Sequence, residues 1–204
     1  PMLSDAEGDA STGLPEHDVL SLSITEPLVL GPGKIMFVLT MAGLADLPPD
    51  TTWPVQFSSS GTTYAVRMHT DAAEAVSFRV ASGENSTNPI LNPGTPADPA
   101  SNYNVDGTIQ IVVPRSVIGA IPGTDLTQFL VRIRVEAGGI APTPDHMPDS
   151  LAATGSYRVV ASESCPTNKG ECGDPTFAGL QSVSATAEET CSLNLAWGTA
   201  MTAC

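Results

Sequence analysis

Two stretches decide the fold of this chain: Val19-Leu-Ser-Leu-Ser-Ile-Thr25 and Lys34-Ile-Met-Phe-Val-Leu-Thr-Met41. Apolar residues recur at every second position in each of them, which is the pattern of a half-buried β-strand. The same pattern predicts six further strands, at residues 52–58, 62–69, 75–81, 107–113, 128–136 and 156–161.

The connections between these stretches contain the residues of tight turns. Gly31-Pro32-Gly33, Asn92-Pro93-Gly94 and Asp106-Gly107 fall between predicted strands. No stretch keeps a helical period for three turns, and a single helical turn is predicted at 114–119. Many short strands joined by such turns predict an all-β, antiparallel β-sandwich of jelly-roll-like character. The longest irregular segment is 82–104, which is long for a compact domain.

Charge and hydropathy exclude two classes of partner. The chain has 204 residues and a net charge of −14, with only 8 Lys and Arg. A protein that binds the phosphate backbone needs a basic surface, so nucleic acid is excluded as a partner. No apolar run reaches the roughly 18 residues of a membrane-spanning helix, so we expect no membrane insertion.

The cysteines predict an oxidising environment. Four of them lie near the end of the chain: Cys165, Cys172, Cys191 and Cys204. Their spacing lacks the C-x2-C element of zinc ribbons, so disulfides are expected rather than zinc. Three pairings are open, and we favour the sequential one because each bond would close a short loop. The expected location is therefore extracellular or on the cell surface.

No motif of a known catalytic mechanism is present. The histidines, His17, His69 and His146, form no H-E-x-x-H pair, and the chain has no nucleophile elbow, phosphate-binding loop or dinucleotide fingerprint. Paired carboxylates for glycoside hydrolysis are left open by the sequence. Trp53 and Trp197 are interpreted as core residues rather than as sugar-stacking platforms. We expect a protein that is not an enzyme.

An acidic loop near the beginning of the chain is a candidate calcium site. Asp5, Glu7 and Asp9 lie around Gly8, and Asp18 begins the first long strand. Calcium takes six to eight oxygen ligands, which carboxylates on a glycine-bent loop can supply. The alternative is a solvated acidic loop without a metal. A second acidic pair, Asp145 and Asp149, flanks His146 and is a separate, weaker candidate.

The end of the chain resembles the beginning of a fibronectin type III domain. The stretch Leu193-x-Leu195-x-Trp197 matches the second strand of that domain, and the resemblance covers about thirty residues. It implies only two strands of seven, and a two-stranded unit cannot bury its own apolar face. We therefore predict a sandwich domain at 1–164, a disulfide-bearing linker at 165–175 and a partial fibronectin type III-like segment at 176–204. The residues expected to be covered by a partner are Val183, Leu193, Leu195 and Trp197.

The main domain resembles accessory β-sandwich modules of secreted bacterial multidomain proteins, which often lie beside subtilisin-like proteases and ahead of fibronectin type III repeats. The matching positions are 5–10, 18–23, 45–49, Trp53, 64–68 and 106–119. The D-x-x-G-D sequence at 5–9 also resembles calcium-associated modules of carbohydrate-active enzymes. These resemblances imply a binding or accessory role without catalytic residues.

Two functions remain as hypotheses. The first is a secreted structural protein whose terminal segments exchange strands with neighbouring copies, giving a homo-oligomer or a homopolymer such as a fibril or surface layer. The second is a calcium-stabilised binding module, with carbohydrate as a possible ligand, that was cut from a longer secreted enzyme or adhesin. A structural calcium ion is the one cofactor that the sequence leaves open, and no other cofactor is expected.

Overall fold

The computed structural model describes residues 2–83, 93–136, 143–148 and 155–160, together with the backbone of 183–186 and 192–195. The chain divides into two units, Pro1–Glu26 with Gly33–Ala161, and Pro27–Pro32 with Ser162–Cys204. The strands are β1 Leu3–Ser4, β2 Val19–Thr25, β3 Lys34–Met41, β4 Thr51–Ser59, β5 Thr62–Thr70, β6 Val76–Gly83, β7 Thr95–Pro96, β8 Asn102–Tyr103, β9 Thr108–Pro114, β10 Asp125–Arg132, β11 Arg134–Val135, β12 His146–Met147, β13 Ser156–Arg158, β14 Val183–Thr186 and β15 Ser192–Leu195.

The first unit contains two antiparallel sheets. One has the strand order β1-β2-β3-β9-β8, and the other has the order β12-β10-β4-β5-β6-β7, with β11 paired to β4 and β13 paired to β10. The helical segments of the described residues are short 3-10 turns, at Pro15–His17, Leu28–Leu30 and Arg115–Ile118. The predicted all-β sandwich is therefore confirmed.

Alternation along β3 shows why these residues form a sheet with one buried face. Ile35, Phe37, Leu39 and Met41 are almost fully buried, whereas the residues between them are partly exposed. Successive side chains of a strand point to opposite faces, so this arrangement places every second residue in the core. β3 lies between β2 and β9 in the centre of its sheet, where both of its edges are hydrogen-bonded.

Aromatic rings join the two sheets across the core. The ring centroids of Phe37 in β3 and Phe57 in β4 are 5.0 Å apart, and Phe57 stacks at 5.7 Å on Phe129 in β10. All three are fully buried. Because these rings come from both sheets, the core lies between the sheets, as in other β-sandwiches.

The predicted strand positions agree with the structure. β2 and β3 have the predicted bounds, and the other predicted strands are offset at their ends by a few residues. The predicted 128–136 strand is instead two strands, β10 and β11. The pairing of β10 with β4 is irregular between Thr127 and Leu130. The predicted helical turn is the 3-10 turn at Arg115–Ile118. The segment 82–104 contains β7 and β8, which were not predicted.

The end of the chain forms a two-stranded sheet of β14 and β15. Val183 pairs with Leu195 and Ala185 pairs with Leu193. The side chains of this pair, all four cysteines, Trp197 and the predicted linker at 165–175 lie outside the described residues. The disulfides and the fibronectin type III-like character of this segment therefore stay predictions.

Within the part of the chain that the structure describes, no helix has the length and the apolar character needed to cross a bilayer.

Candidate metal centre

The loop between β1 and β2 packs against a segment that is distant in sequence. The backbone N–H of Asp5 donates to the carbonyl of Leu20 at 2.9 Å, which fixes the beginning of the loop beside β2. The backbone N–H and the hydroxyl of Ser11 both donate to the carbonyl of Pro144, at 2.8 and 2.9 Å. These bonds hold the acidic loop next to the residues that precede β12.

Three carboxylates converge where the loop meets this segment. Asp5, Asp9 and Asp145 each offer an oxygen, and these oxygens all lie within 4.8 Å of one another. Asp5 directly follows β1 and Asp145 directly precedes β12. Asp145 is buried, Asp5 is half-buried and Asp9 is exposed, so the group opens toward solvent on the side of Asp9.

Asp145 is held in place by two backbone hydrogen bonds. Its Oδ2 accepts from the N–H of Val19 at 2.8 Å, and its Oδ1 accepts from the N–H of His146 at 2.6 Å. Burial raises the pKa of Asp145, and the negative charges of Asp9 and Asp18 raise it further, against the lowering effect of the two hydrogen bonds. A cation in the group would offset both the burial and the repulsion.

Asp18 adds a fourth carboxylate to this region. Only 4% of its surface is exposed, and its Oδ2 accepts a hydrogen bond from the N–H of Gly8 at 2.7 Å. Its Oδ1 is buried and has no hydrogen-bond partner among the described residues. Buried polar atoms are nearly always paired, so a carboxylate oxygen in this condition indicates a missing ligand such as a cation or a water molecule.

The ion pairs among the described residues do not include three of these four carboxylates. None of those ion pairs involves Asp9, Asp18 or Asp145. Asp9 also makes no side-chain hydrogen bond within the described chain, although the loop holds its carboxylate beside two others. The negative charges of Asp9 and Asp18 disfavour the ionised form of Asp145, and a bound cation would offset this repulsion.

The donor set fits a hard cation of flexible geometry. Carboxylate oxygens are the preferred ligands of calcium and magnesium, whereas zinc and copper favour nitrogen and sulfur. Magnesium requires near-ideal octahedral geometry and keeps most of its water. Calcium accepts six to eight oxygens in irregular arrangements, which suits carboxylates from a loop and from two strand ends.

The structure brings together some of the residues predicted from sequence and separates others. Asp5 and Asp9 lie in the group of three, and Asp18 interacts electrostatically with Asp145. Glu7 is exposed and is not in that group. Asp149 lies outside the described residues. The two acidic candidates that the sequence placed apart, at 5–18 and at 145, meet at one location.

Sequence reasoning did not connect Asp145 with the first loop. The two are joined only by tertiary contacts, among them the hydrogen bond from Val19 across 126 positions. One feature of the sequence could have connected them: neither the acidic residues at 5–18 nor the acidic pair around His146 supplies six oxygen ligands by itself. Incomplete ligand sets in two separate loops indicate that the two could share one ion.

The remaining candidates from the sequence have structural partners. The Nδ1 of His17 hydrogen-bonds the Thr12 hydroxyl at 2.9 Å, and the Nδ1 of His69 hydrogen-bonds the Thr52 hydroxyl at 3.0 Å. Trp53 is fully buried, and its indole N–H donates to the carbonyl of Glu16 at 2.7 Å. Trp53 is therefore a core residue and offers no surface on which a sugar could stack.

Comparisons of this chain with protein-family models, with curated proteins and with solved structures found no match.

Proposed function

We propose that this chain is a non-catalytic, calcium-stabilised β-sandwich module of a secreted or cell-surface protein. The observation that carries the proposal is the convergence of Asp5, Asp9 and Asp145, with their oxygens within 4.8 Å, beside the buried and unpaired Oδ1 of Asp18. The calcium supplies positive charge and oxygen-coordinating capacity, and the chain supplies the carboxylates that would hold it.

The proposed location is one in which a weak calcium site would be filled. Calcium sites of extracellular modules bind with dissociation constants of about 10⁻⁴ to 10⁻³ M. The predicted disulfides of the terminal segment point to the same environment. The proposed role of the ion is structural, because it would connect loop residues to the sandwich.

Thermal unfolding tests this proposal. The variant with both Asp5→Ala and Asp9→Ala is compared with the wild type in millimolar calcium and in chelator. We expect calcium to raise the melting temperature of the wild type and to leave that of the variant unchanged, because a ligand stabilises only the state that binds it. Glu7→Gln is the matched control and should respond like the wild type. An equal loss of stability with and without calcium would assign the two aspartates to hydrogen bonding instead.

The second candidate function is assembly through the terminal strands. β14 and β15 pair as a separate two-stranded sheet, and such a hairpin is marginally stable in water without further cover. The partner we propose is a second copy of the chain, which would supply a strand to an open edge of this sheet. The carboxyl-terminal segment would then join neighbouring copies into a homopolymer.

Deletion of Thr176–Cys204 tests the assembly function. The remaining sandwich should keep its fold and its response to calcium, because the cores and the acidic site lie in the first unit. Self-association, followed by light scattering and electron microscopy, should disappear. Fibres formed by the truncated chain would contradict the assembly function and leave the calcium proposal unaffected.

A further inference from the structure

The acidic site lies at the ends of strands from both sheets. Asp5 follows β1 and Asp18 precedes β2, which are neighbours in the first sheet. Asp145 precedes β12, which is paired with β10 in the second sheet. An ion that binds these carboxylates would therefore touch the ends of strands from both layers of the sandwich.

The two strands β1 and β12 are the shortest of those involved. Each has two residues and lies at the end of its sheet: β1 pairs with Leu22 and Ser21, and β12 pairs with Val131 and Arg132. Short pairings of this kind open more readily than the centre of a sheet. Yet Leu3 of β1 and Met147 of β12 are both buried in the core. Detachment of either strand would expose core side chains.

Direct contacts already connect the loop after β1 and the beginning of β2 with the residues before β12. Ser11 donates to Pro144 through its backbone N–H and its hydroxyl, and Val19 donates to Asp145. These bonds place Asp145 close to Asp9 and Asp18, whose negative charges repel that of Asp145 when no cation is present. Without a cation, this repulsion therefore weakens the contacts between the loop and the residues before β12.

Resting on the proposed function, we infer that calcium acts as a cross-link between the two sheets, so that the docking of β1 and the docking of β12 depend on each other. The independent observation behind it is the buried, unpaired Oδ1 of Asp18, a residue whose Oδ2 accepts a hydrogen bond from the N–H of Gly8 in the loop. With calcium bound, β1 stays paired with β2 and β12 stays paired with β10. Without it, both open together. This uncovers β2 at Ser21 and Leu22, and β10 at Val131 and Arg132, for pairing with other strands.

The effect is local. β5 lies between β4 and β6 in the second sheet, and its pairing with these two strands involves none of the four aspartates. Calcium should therefore slow the opening of the two edge strands without slowing the opening of β5 by the same factor. When calcium is present at about ten times its dissociation constant, any opening that releases the ion becomes about tenfold rarer.

Amide hydrogen exchange measured by mass spectrometry tests the inference. The protein is compared in calcium and in chelator, using peptides that cover residues 2–5, 143–148 and 62–70. We expect exchange at 2–5 and at 143–148 to slow by about tenfold or more in calcium, with a smaller change at 62–70. Calcium binding is measured on the same sample by calorimetry.

Two variants make the coupling specific. Asp145→Asn lies beside β12, yet it should abolish the calcium protection of β1, which belongs to the other sheet. Asp9→Asn removes an exposed carboxylate and serves the same purpose if the Asp145 variant does not fold. Glu7→Gln, in the same loop, should keep the wild-type pattern.

The outcomes separate the inference from the proposed function. Calcium that binds in the calorimeter but leaves β1 unprotected, or that slows all three peptides equally, overturns the cross-link and leaves the calcium-stabilised module intact. Absence of binding overturns both. Protection of both edge strands that is lost together in Asp9→Asn or Asp145→Asn supports the cross-link.

Discussion

The Oδ2 of Asp145 accepts a hydrogen bond from the backbone N–H of Val19 at 2.8 Å, across 126 positions of sequence. This bond joins the beginning of β2 to the residue before β12. It brings a buried carboxylate to the acidic loop that contains Asp5 and Asp9, and it is the contact on which the candidate metal site depends.

The exposed carboxylate of Asp9 should have opposite effects on stability with and without calcium. In chelator, Asp9→Asn removes a repelling charge from the group, so we expect the melting temperature to stay the same or to rise slightly. In saturating calcium it removes a ligand. A tenfold loss of affinity corresponds to about 1.4 kcal/mol, which lowers the melting temperature by about 3–6 °C for a domain of this size.

The measurement is thermal unfolding of the wild type and Asp9→Asn, each in calcium and in chelator. Asp46→Asn, a substitution of an exposed carboxylate outside the site, is the control and should show no reversal. A melting temperature of Asp9→Asn that falls equally in both conditions would rule out a metal-dependent role for this side chain.

His17 should make the domain less stable in mild acid. Burial lowers the pKa of His17 below its ordinary value of 6.5, although the charge of Glu16 acts in the opposite direction. The unfolded chain therefore binds a proton near pH 6.5 that the folded chain does not bind. Stability from this residue is fully present above pH 6.5 and decreases as the pH falls below it.

Urea denaturation between pH 7.5 and 5.5, in chelator, measures this contribution. The free energy of unfolding of His17→Gln should change less with pH than that of the wild type. In the control variant His69→Gln, the contribution of His17 to this pH dependence should be unchanged. Identical pH dependence in the wild type and His17→Gln would show that His17 does not titrate differently on folding.

The buried indole of Trp53 should contribute to stability through its N–H group as well as its size. Trp53→Phe removes the donor to the carbonyl of Glu16, which is 2.7 Å away, and leaves a small cavity. An unsatisfied buried acceptor costs about 1–3 kcal/mol, and the lost volume adds to it. Chemical denaturation measures the loss, and a change below about 0.5 kcal/mol would contradict the assigned role of the hydrogen bond.

Two glycines with positive φ should differ sharply in their tolerance of alanine. Gly107 has φ of 103°, and a Cβ there would collide with the backbone carbonyl of Met41. Gly61 has φ of 81°, but a Cβ there would meet no atom within 4 Å. Gly61→Ala should therefore cost only the backbone strain, about 1 kcal/mol, whereas Gly107→Ala must also displace β3.

Chemical denaturation of both variants compares the two losses. The free energy of unfolding should fall at least twice as far for Gly107→Ala as for Gly61→Ala. Equal losses would mean that the close approach of Gly107 to Met41 is easily relaxed.

The long strands could be predicted because their pattern is local. The alternation in β2 and β3 arises because one face of each strand packs on the core, so every second residue in the sequence is apolar. β1 and β12, with two residues each, have no period that could be detected. Their positions depend on pairing with β2 and β10, which no local pattern in two residues can show.

The candidate site could likewise be predicted only where it depends on residues close together in sequence. The glycine-bent acidic loop that contains Asp5 and Asp9 could be identified from its sequence, because carboxylates close together around Gly8 are a local feature. The contribution of Asp145 could not, because it depends on how the loop packs against the segment before β12. Glu7, which has the same chemistry and lies in the same loop, points to solvent, and sequence alone does not show this difference.

The central claim is that one calcium ion binds at the acidic site, and isothermal titration calorimetry of chelator-treated protein tests it most directly. The wild type should bind one calcium per chain with a dissociation constant of about 10⁻³ M or tighter. Asp9→Asn should bind more weakly, and Glu7→Gln should bind like the wild type. Absence of binding by the wild type at millimolar calcium, or equal binding by the wild type and the variant with both Asp5→Ala and Asp9→Ala, would contradict it.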